Sequence, residues 1–267
     1  MEKICIIGAG NLGVAIARGV VRAGLLKADQ VILTRRNPDK LAAMQQEGFV
    51  VTDNNKDAVQ QSSMIILCIQ PKQTAGVVAE IASGLHAHHH ILVSTVTGVS
   101  TTEISVQLGD RPIPVVRAMP NTAIAIAQSM TCICAHQATT EQVNQVINLF
   151  EALGKTLVVE ERLMRASTVL AASGIAFFMR FMRATTQGGI QLGFDAEDAM
   201  CIAAQTARGA AMLLQENHSH PELEIDRVTT PEGCTIEGLN EMEHQGLSSA
   251  IIKGLVASHD KINSIRK

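Results

Sequence analysis

Gly8, Gly10 and Gly13 stand in the spacing GxGxxG, with Asn11 and Leu12 between them, directly after the apolar run at residues 3–7. Such glycines do their chemistry through the backbone. The first permits a tight turn, the second lets the chain approach a pyrophosphate, and the third lets helix and strand pack closely. The helix N-terminus adds N–H groups and a positive dipole. The alternative is a structural turn that binds nothing. A second candidate group ends the next strand, "ILTRRNPDK", where Thr34, Arg35, Arg36 and Asn37 offer hydroxyl and guanidinium donors. An NAD-preferring site carries an acid there, so the pattern favours NADP over NAD, with NADH as an alternative.

Other chemistries fail for want of residues. A reductase that protonates through tyrosine is excluded, because the chain has no Tyr. The lysine-dependent β-hydroxyacid dehydrogenases are argued against by the absence of any Lys between Lys155 and Lys253. Cys132 and Cys134 share a face of an expected strand but lack CxxC spacing, and the His86, His88, His89, His90 tract reads as a solvated turn, so no metal site is expected. What remains is a substrate that needs little acid–base help, such as an easily protonated C=N bond.

Positioning these groups requires an alternating α/β frame. After the first strand and a helix through Ala23 closed by Gly24, strands are expected at "QVILT", "FVV", "MIILCI", "HILVST" and "PIPVVRA". Helices are expected at 38–47, 55–62, 72–84 and 101–108 between them, which implies a Rossmann-type doubly wound parallel sheet. Beyond about residue 160 the β signal fades. Residues 161–216 read as helix broken near Gly188, Gly189 and Gly193, "HSHPELEIDRVTTPEGCT" reads as irregular, and helix resumes to the C-terminus. The expected organisation is therefore an α/β N-terminal domain, 1–160, and an all-α C-terminal domain, 161–267, joined near Glu160–Glu161.

Composition sets the bounds. The 267 residues carry a net charge of −3 and no long basic run, which argues against a nucleic-acid surface. There is no Trp, and most of the six Phe read as core, which removes stacking platforms. No apolar run reaches the roughly 20 residues needed to cross a bilayer. Only Met1, Glu2 and Lys3 precede the first strand, leaving no room for a secretory signal, so the expected compartment is the cytoplasm. Six scattered Cys read as reduced, buried thiols.

"CIIGAGNLGVAIARGVVRAG", "VVRAMPNTAIAIAQSMTCIC", "GFDAEDAMCIAAQTARGAAMLL" and "HPELEIDRVTTPEGCTIEGLNEMEHQG" resemble the corresponding stretches of pyrroline-5-carboxylate reductases. The resemblance covers nearly the whole chain. It implies NADPH-dependent reduction of 1-pyrroline-5-carboxylate, a small cyclic imino acid, to proline. It also implies a helical 161–267 region that dimerises, forms larger rings in many members and serves substrate. "TTPEGCT" is a turn leading into a helix, whose exposed N–H groups suit a carboxylate. By the resemblance, Thr235 holds the ring nitrogen as the catalytic group, the alternative being that it caps its helix. Thr230, Gly233, Cys234, Ser173 and Gly174 fall at the substrate. Met119, Pro120, Asn121 and Thr122 line the nicotinamide cleft, Asn55 lies near the adenosine phosphate, and Pro71 shapes the cofactor turn.

The departures from the family pattern concentrate at the site. Residues 171–177 read "AASGIAF" where the family has SGSGPAY, Gln70 replaces Lys, and Glu232 replaces Gly. An inward-pointing Glu232 would repel a bound carboxylate, and an outward-pointing one would be nearly silent. Two other readings stay open: a reductase of a related cyclic imine, and a dinucleotide-binding paralogue without turnover.

Overall fold

The computed structural model describes residues 3–109 and 111–264; Met1, Glu2 and the last three residues of the 161–267 segment lie outside the described residues. Among the described residues eight strands are formed: β1 (Ile4–Ile7), β2 (Val31–Thr34), β3 (Val50–Thr52), β4 (Met64–Leu67), β5 (Ile91–Ser94), β6 (Val115–Met119), β7 (Ser129–His136) and β8 (Gly154–Val158). Between them lie α1 (Asn11–Arg22), α2 (Ala42–Gln46), α3 (Asn55–Gln60), α4 (Thr74–Ile81), α5 (Thr101–Gln107) and α6 (Thr140–Glu151). The strand order is β3-β2-β1-β4-β5-β6-β7-β8. Strand succession reverses between β1 and β4, and the carboxyl ends at such a switch point form the crevice in which this fold binds ligands.

Every residue of β1, β2, β4 and β5 is buried, which accounts for their continuous apolar runs. Ile4 and Ile6 pack with Ile16 and Val20 of α1 and Phe150 of α6 on one face, whereas Cys5 and Ile7 pack with Val59, Val78 and Ile104 on the other. All strand pairs are parallel except β6–β7, which is antiparallel with Arg117 opposite Cys134. The sheet is thus mostly parallel rather than wholly so.

The chain divides into two compact units, one running to Ser173 and taking in the chain from His259, the other Gly174–Ser258. The first unit extends past Glu161 because the following residues still pack on the sheet. Met164, in α7 (Met164–Ser167), is fully buried with Met119, Cys132 and Cys134. A π-helical stretch, Thr168–Ser173, follows it.

The second unit holds α8 (Gly174–Gln191), α9 (Ala196–Asn217), α10 (Pro221–Val228) and α11 (Cys234–His244); α12 (Leu247–Ser264) follows α11. Helix α8 runs through Gly188 and Gly189, and the expected break falls at Gly193, where φ is +106°. Gly189 lies against α9, since a Cβ there would come 3.0 Å from that of Ala199. The segment expected to be irregular contains α10, with Pro221 at its first position and His220 as N-cap accepting from the Glu222 N–H.

Several side chains differ from expectation. Only Phe49 and Phe150 of the six Phe are buried; Phe177, Phe178, Phe181 and Phe194 are exposed. Cys201 and Cys234 are exposed as well. His90 is buried, its Nδ1 accepting from the His86 N–H and its Nε2 bonding the Val59 carbonyl, and burial lowers its pKa. Among the described residues no His/Cys/Asp/Glu group could hold a metal ion, and no helix is long and apolar enough to cross a membrane.

Candidate active site

The glycine turn is built against β2 and β4. The Gly8 and Ala9 N–H groups both donate to the Thr34 carbonyl, at 3.1 and 3.0 Å. Gly8 has φ +87°, and a Cβ there would fall 2.5 Å from Ile69 Cγ2 and 2.7 Å from the Cys68 carbonyl oxygen. At Gly13 a Cβ would come 3.0 Å from Ile6 Cγ2, so helix and strand touch as the motif requires. Gly10, the N-cap of α1, is different. A Cβ there would meet nothing closer than 4.0 Å, and no side chain caps the helix. Asn11 and Leu12 occupy its first two positions. An open backbone cradle at an uncapped helix N-terminus fits a dinucleotide pyrophosphate.

At the end of β2 the residues divide their work. Thr34 is buried and donates its hydroxyl to Asn55 Oδ1 at 2.6 Å, so it positions Asn55 and does not face outward. Arg35 folds back over the glycine turn, its Nη1 donating to the Ala9 carbonyl at 3.2 Å, and Arg36 is exposed. Pro71 opens the short 3-10 turn that follows β4.

Met119 and Pro120 at the end of β6 are buried, the Met119 side chain within the cluster around Met164. Asn121 is the connector. Its Oδ1 caps the turn Thr122–Ile126 by accepting from the Ala123 N–H, and its Nδ2 donates to the Ala171 carbonyl in the π-helical stretch at 3.3 Å. Ser173 ends that stretch, half-buried, and Gly174 begins α8, buried.

Two residues inside β6 through α7 were not singled out by sequence. Arg117 is 3% exposed and pairs with Glu161, Nη1 to Oε1, at 2.5 Å. The same carboxylate accepts from Thr101 Oγ1 at 2.8 Å and Cys134 Sγ at 3.1 Å. Burial would raise the Glu161 pKa, but the bonds from Cys134 and Thr101 and the Arg117 charge together hold it below the ordinary carboxylate value. Burial first, then the Glu161 carboxylate, pushes the Cys134 thiol up to about 12. The arginine inside "VVRAM" was the available signal, since a charge at a strand core position demands a partner.

In the second unit, Thr230-Pro231-Glu232-Gly233 forms a turn closed by the Gly233 N–H to the Thr230 carbonyl at 3.0 Å. Pro231 occupies the second position and Glu232 the third with φ +57°, the arrangement of a type II turn, which ordinarily takes Gly there. Gly233 is packed so closely that a Cβ would lie 2.4 Å from Thr230 Oγ1. It is also the N-cap of α11, with no side-chain cap. Cys234 and Thr235 fill the first two helical positions, so Thr235 does not act as the cap. The exposed Glu232 side chain makes no hydrogen bond or ion pair with any described residue.

These features define a Rossmann-type dinucleotide-binding protein with a helical C-terminal unit. The family model described as pyrroline-5-carboxylate reductase dimerisation matches residues 161–265, and one described as NADP oxidoreductase, coenzyme F420-dependent, matches 3–98. The chain is 46% identical to pyrroline-5-carboxylate reductase 1 of Dictyostelium discoideum over 98% of its own length, and spans 49% of that protein. It is 44% identical to pyrroline-5-carboxylate reductase 2 of the same organism, with 97% of this chain and 92% of that one covered. A solved pyrroline-5-carboxylate reductase from Coxiella burnetii superposes with a TM-score of 0.90 at 27% identity over 98% of each chain. The chain belongs to the pyrroline-5-carboxylate reductase family.

Proposed function

We propose that this chain reduces 1-pyrroline-5-carboxylate to proline with NADPH, NADH serving as an alternative donor. The reading is carried by the 230–235 turn, which offers uncapped helix N–H groups and a Thr235 hydroxyl in a family member that also carries the glycine cradle. When bound, the dinucleotide supplies a hydride. The backbone of Gly8 to Gly13 holds its pyrophosphate, Arg35 and Arg36 hold the 2′-phosphate, and Asn55 lies near the adenosine phosphate. The N–H groups of the 230–235 turn hold the imino acid carboxylate, and Thr235 polarises the ring nitrogen. Catalysis by this chain is then positioning and electrostatics.

Domains 1–160 and 161–267 divide these tasks between cofactor and substrate. The helical part self-associates as a dimer or larger ring, which the exposed Phe177, Phe178, Phe181 and Phe194 support. Six free thiols support a reducing, cytoplasmic compartment. The departure of residues 171–177 from the SGSGPAY pattern favours one second reading, a related cyclic imine as substrate.

Loss of reduced-nicotinamide absorbance with purified protein and 1-pyrroline-5-carboxylate tests the proposal, repeated with NADH and with six-membered imines. Rapid NADPH oxidation with the five-membered imine supports it. Turnover only of another imine replaces it with the second reading, and tight NADPH binding without any turnover overturns both.

A further inference from the structure

Asn55 is held at both ends of its amide. Oδ1 accepts from the buried Thr34 hydroxyl at 2.6 Å, and Nδ2 donates to Glu80 Oε2, from α4, at 3.1 Å. A carboxylate only accepts, so it fixes which end of the amide carries the N–H groups. One N–H is spent on Glu80, and the second has no partner among the described residues. Thr34 joins this relay to the glycine turn, because its carbonyl receives the Gly8 and Ala9 N–H groups.

The relay brings a negative charge to the adenosine end of the cradle. Glu80 is exposed, and no described residue forms an ion pair with it. One carboxamide width separates it from Thr34, the residue preceding Arg35. Nearby ionisable side chains on α3 are Lys56, which is exposed, and Asp57, which accepts from the Asn54 amide at 2.7 Å. Arginines suit a 2′-phosphate dianion, whereas a carboxylate suits ribose hydroxyls and repels that dianion.

We propose that Glu80 is a cofactor-selectivity residue, fixing the Asn55 amide and keeping NADH and NADPH affinities closer together than Arg35 and Arg36 alone would set them. This rests on the reading of residues 34–36 as the 2′-phosphate site.

The test is calorimetric titration of the full chain with NADPH and with NADH, for the wild type, Glu80→Gln, Glu80→Ala, Glu80→Asp and Arg35→Ala. Glu80→Gln and Glu80→Ala are expected to raise the NADPH-to-NADH affinity ratio about threefold or more, with the larger effect at low salt. Glu80→Asp, which keeps the charge, stays near wild type. An unchanged ratio in both neutral variants, or an equal loss of both cofactors, overturns the proposal. Arg35→Ala separates the two failures. If it weakens NADPH while the neutral Glu80 variants leave the ratio alone, only the role of Glu80 falls. If it leaves NADPH affinity intact, the 2′-phosphate site itself falls, and the proposal with it.

Discussion

Arg117 and Glu161, 44 residues apart, meet as a half-buried ion pair that ties the residues after β8 to the middle of β6. Among the described residues Arg117 Nε and Nη2 have no hydrogen-bond partner and Nη1 bonds Glu161, so the guanidinium depends on this carboxylate. Removing one partner of a fully buried pair costs about 3–5 kcal/mol. Glu161 is 35% exposed, so Glu161→Gln is expected to cost about 2–3 kcal/mol at pH 7, read from urea unfolding. The folded pKa lies below the ordinary 4.5, so the stabilisation is present above that pH and is lost as pH falls through the lower folded value. The gap between wild type and variant should narrow as pH falls below 4.5, and a gap constant from pH 7 to well into the acid range would refute the assignment.

Gly8→Ala meets two obstacles, a left-handed φ of +87° and contacts with Ile69 and Cys68 well inside van der Waals distance. A loss of about 2–4 kcal/mol of stability is expected. NADPH binding should weaken about 100-fold or more, measurable by calorimetry; wild-type affinity in this variant would show that the cofactor does not sit on the turn.

Thr235→Ala removes the hydroxyl assigned to the ring nitrogen while leaving the Gly233 cap in place. Steady-state kinetics should show kcat/KM reduced about 100-fold, with NADPH affinity unchanged and Thr235→Ser largely restoring activity. Full activity in the alanine variant would remove Thr235 from the mechanism.

Glu232→Gly restores the residue that a left-handed turn position prefers. Relief of about 1–2 kcal/mol of strain is partly offset by the greater freedom of glycine in the unfolded chain. A net gain of about 0.5–1 kcal/mol, or roughly 1–3 °C in Tm, is expected. Because the Glu232 side chain is exposed, KM for the imino acid should move less than about twofold. A KM that falls tenfold would instead mean that the carboxylate opposes substrate.

How much of this was legible depended on whether the governing contact was local. The run at 3–7, the glycines and the switch from period 2 to helical period are local, and β1, its turn and α1 stand where they were expected. Cys132 and Cys134 do share a buried face, yet the antiparallel direction of β7 was not foreseen. Side-chain alternation encodes faces and not direction. Direction is set by the short 3-10 connection at Thr122–Ile126, which leaves no room for a crossover helix. Helix α10 was missed although Pro221 marks its start, because its polar neighbours read as loop. Most of the six Phe read as core, yet Phe177, Phe178, Phe181 and Phe194 are exposed, since an apolar residue looks the same whether its cover lies in its own chain or another. The Arg117–Glu161 and Asn55–Glu80 pairs join distant segments, and no spacing rule reaches them.

The π-helical stretch Thr168–Ser173 is wound more loosely than the α-helices on either side of it. Its hydrogen bonds skip one residue more than those of an α-helix, so the stretch holds a surplus of chain. Deleting one residue there would restore ordinary α-helical winding, because the wide turn absorbs one residue more than an α-helical turn holds. This chain therefore has a residue to spare in the segment where it departs from the SGSGPAY pattern.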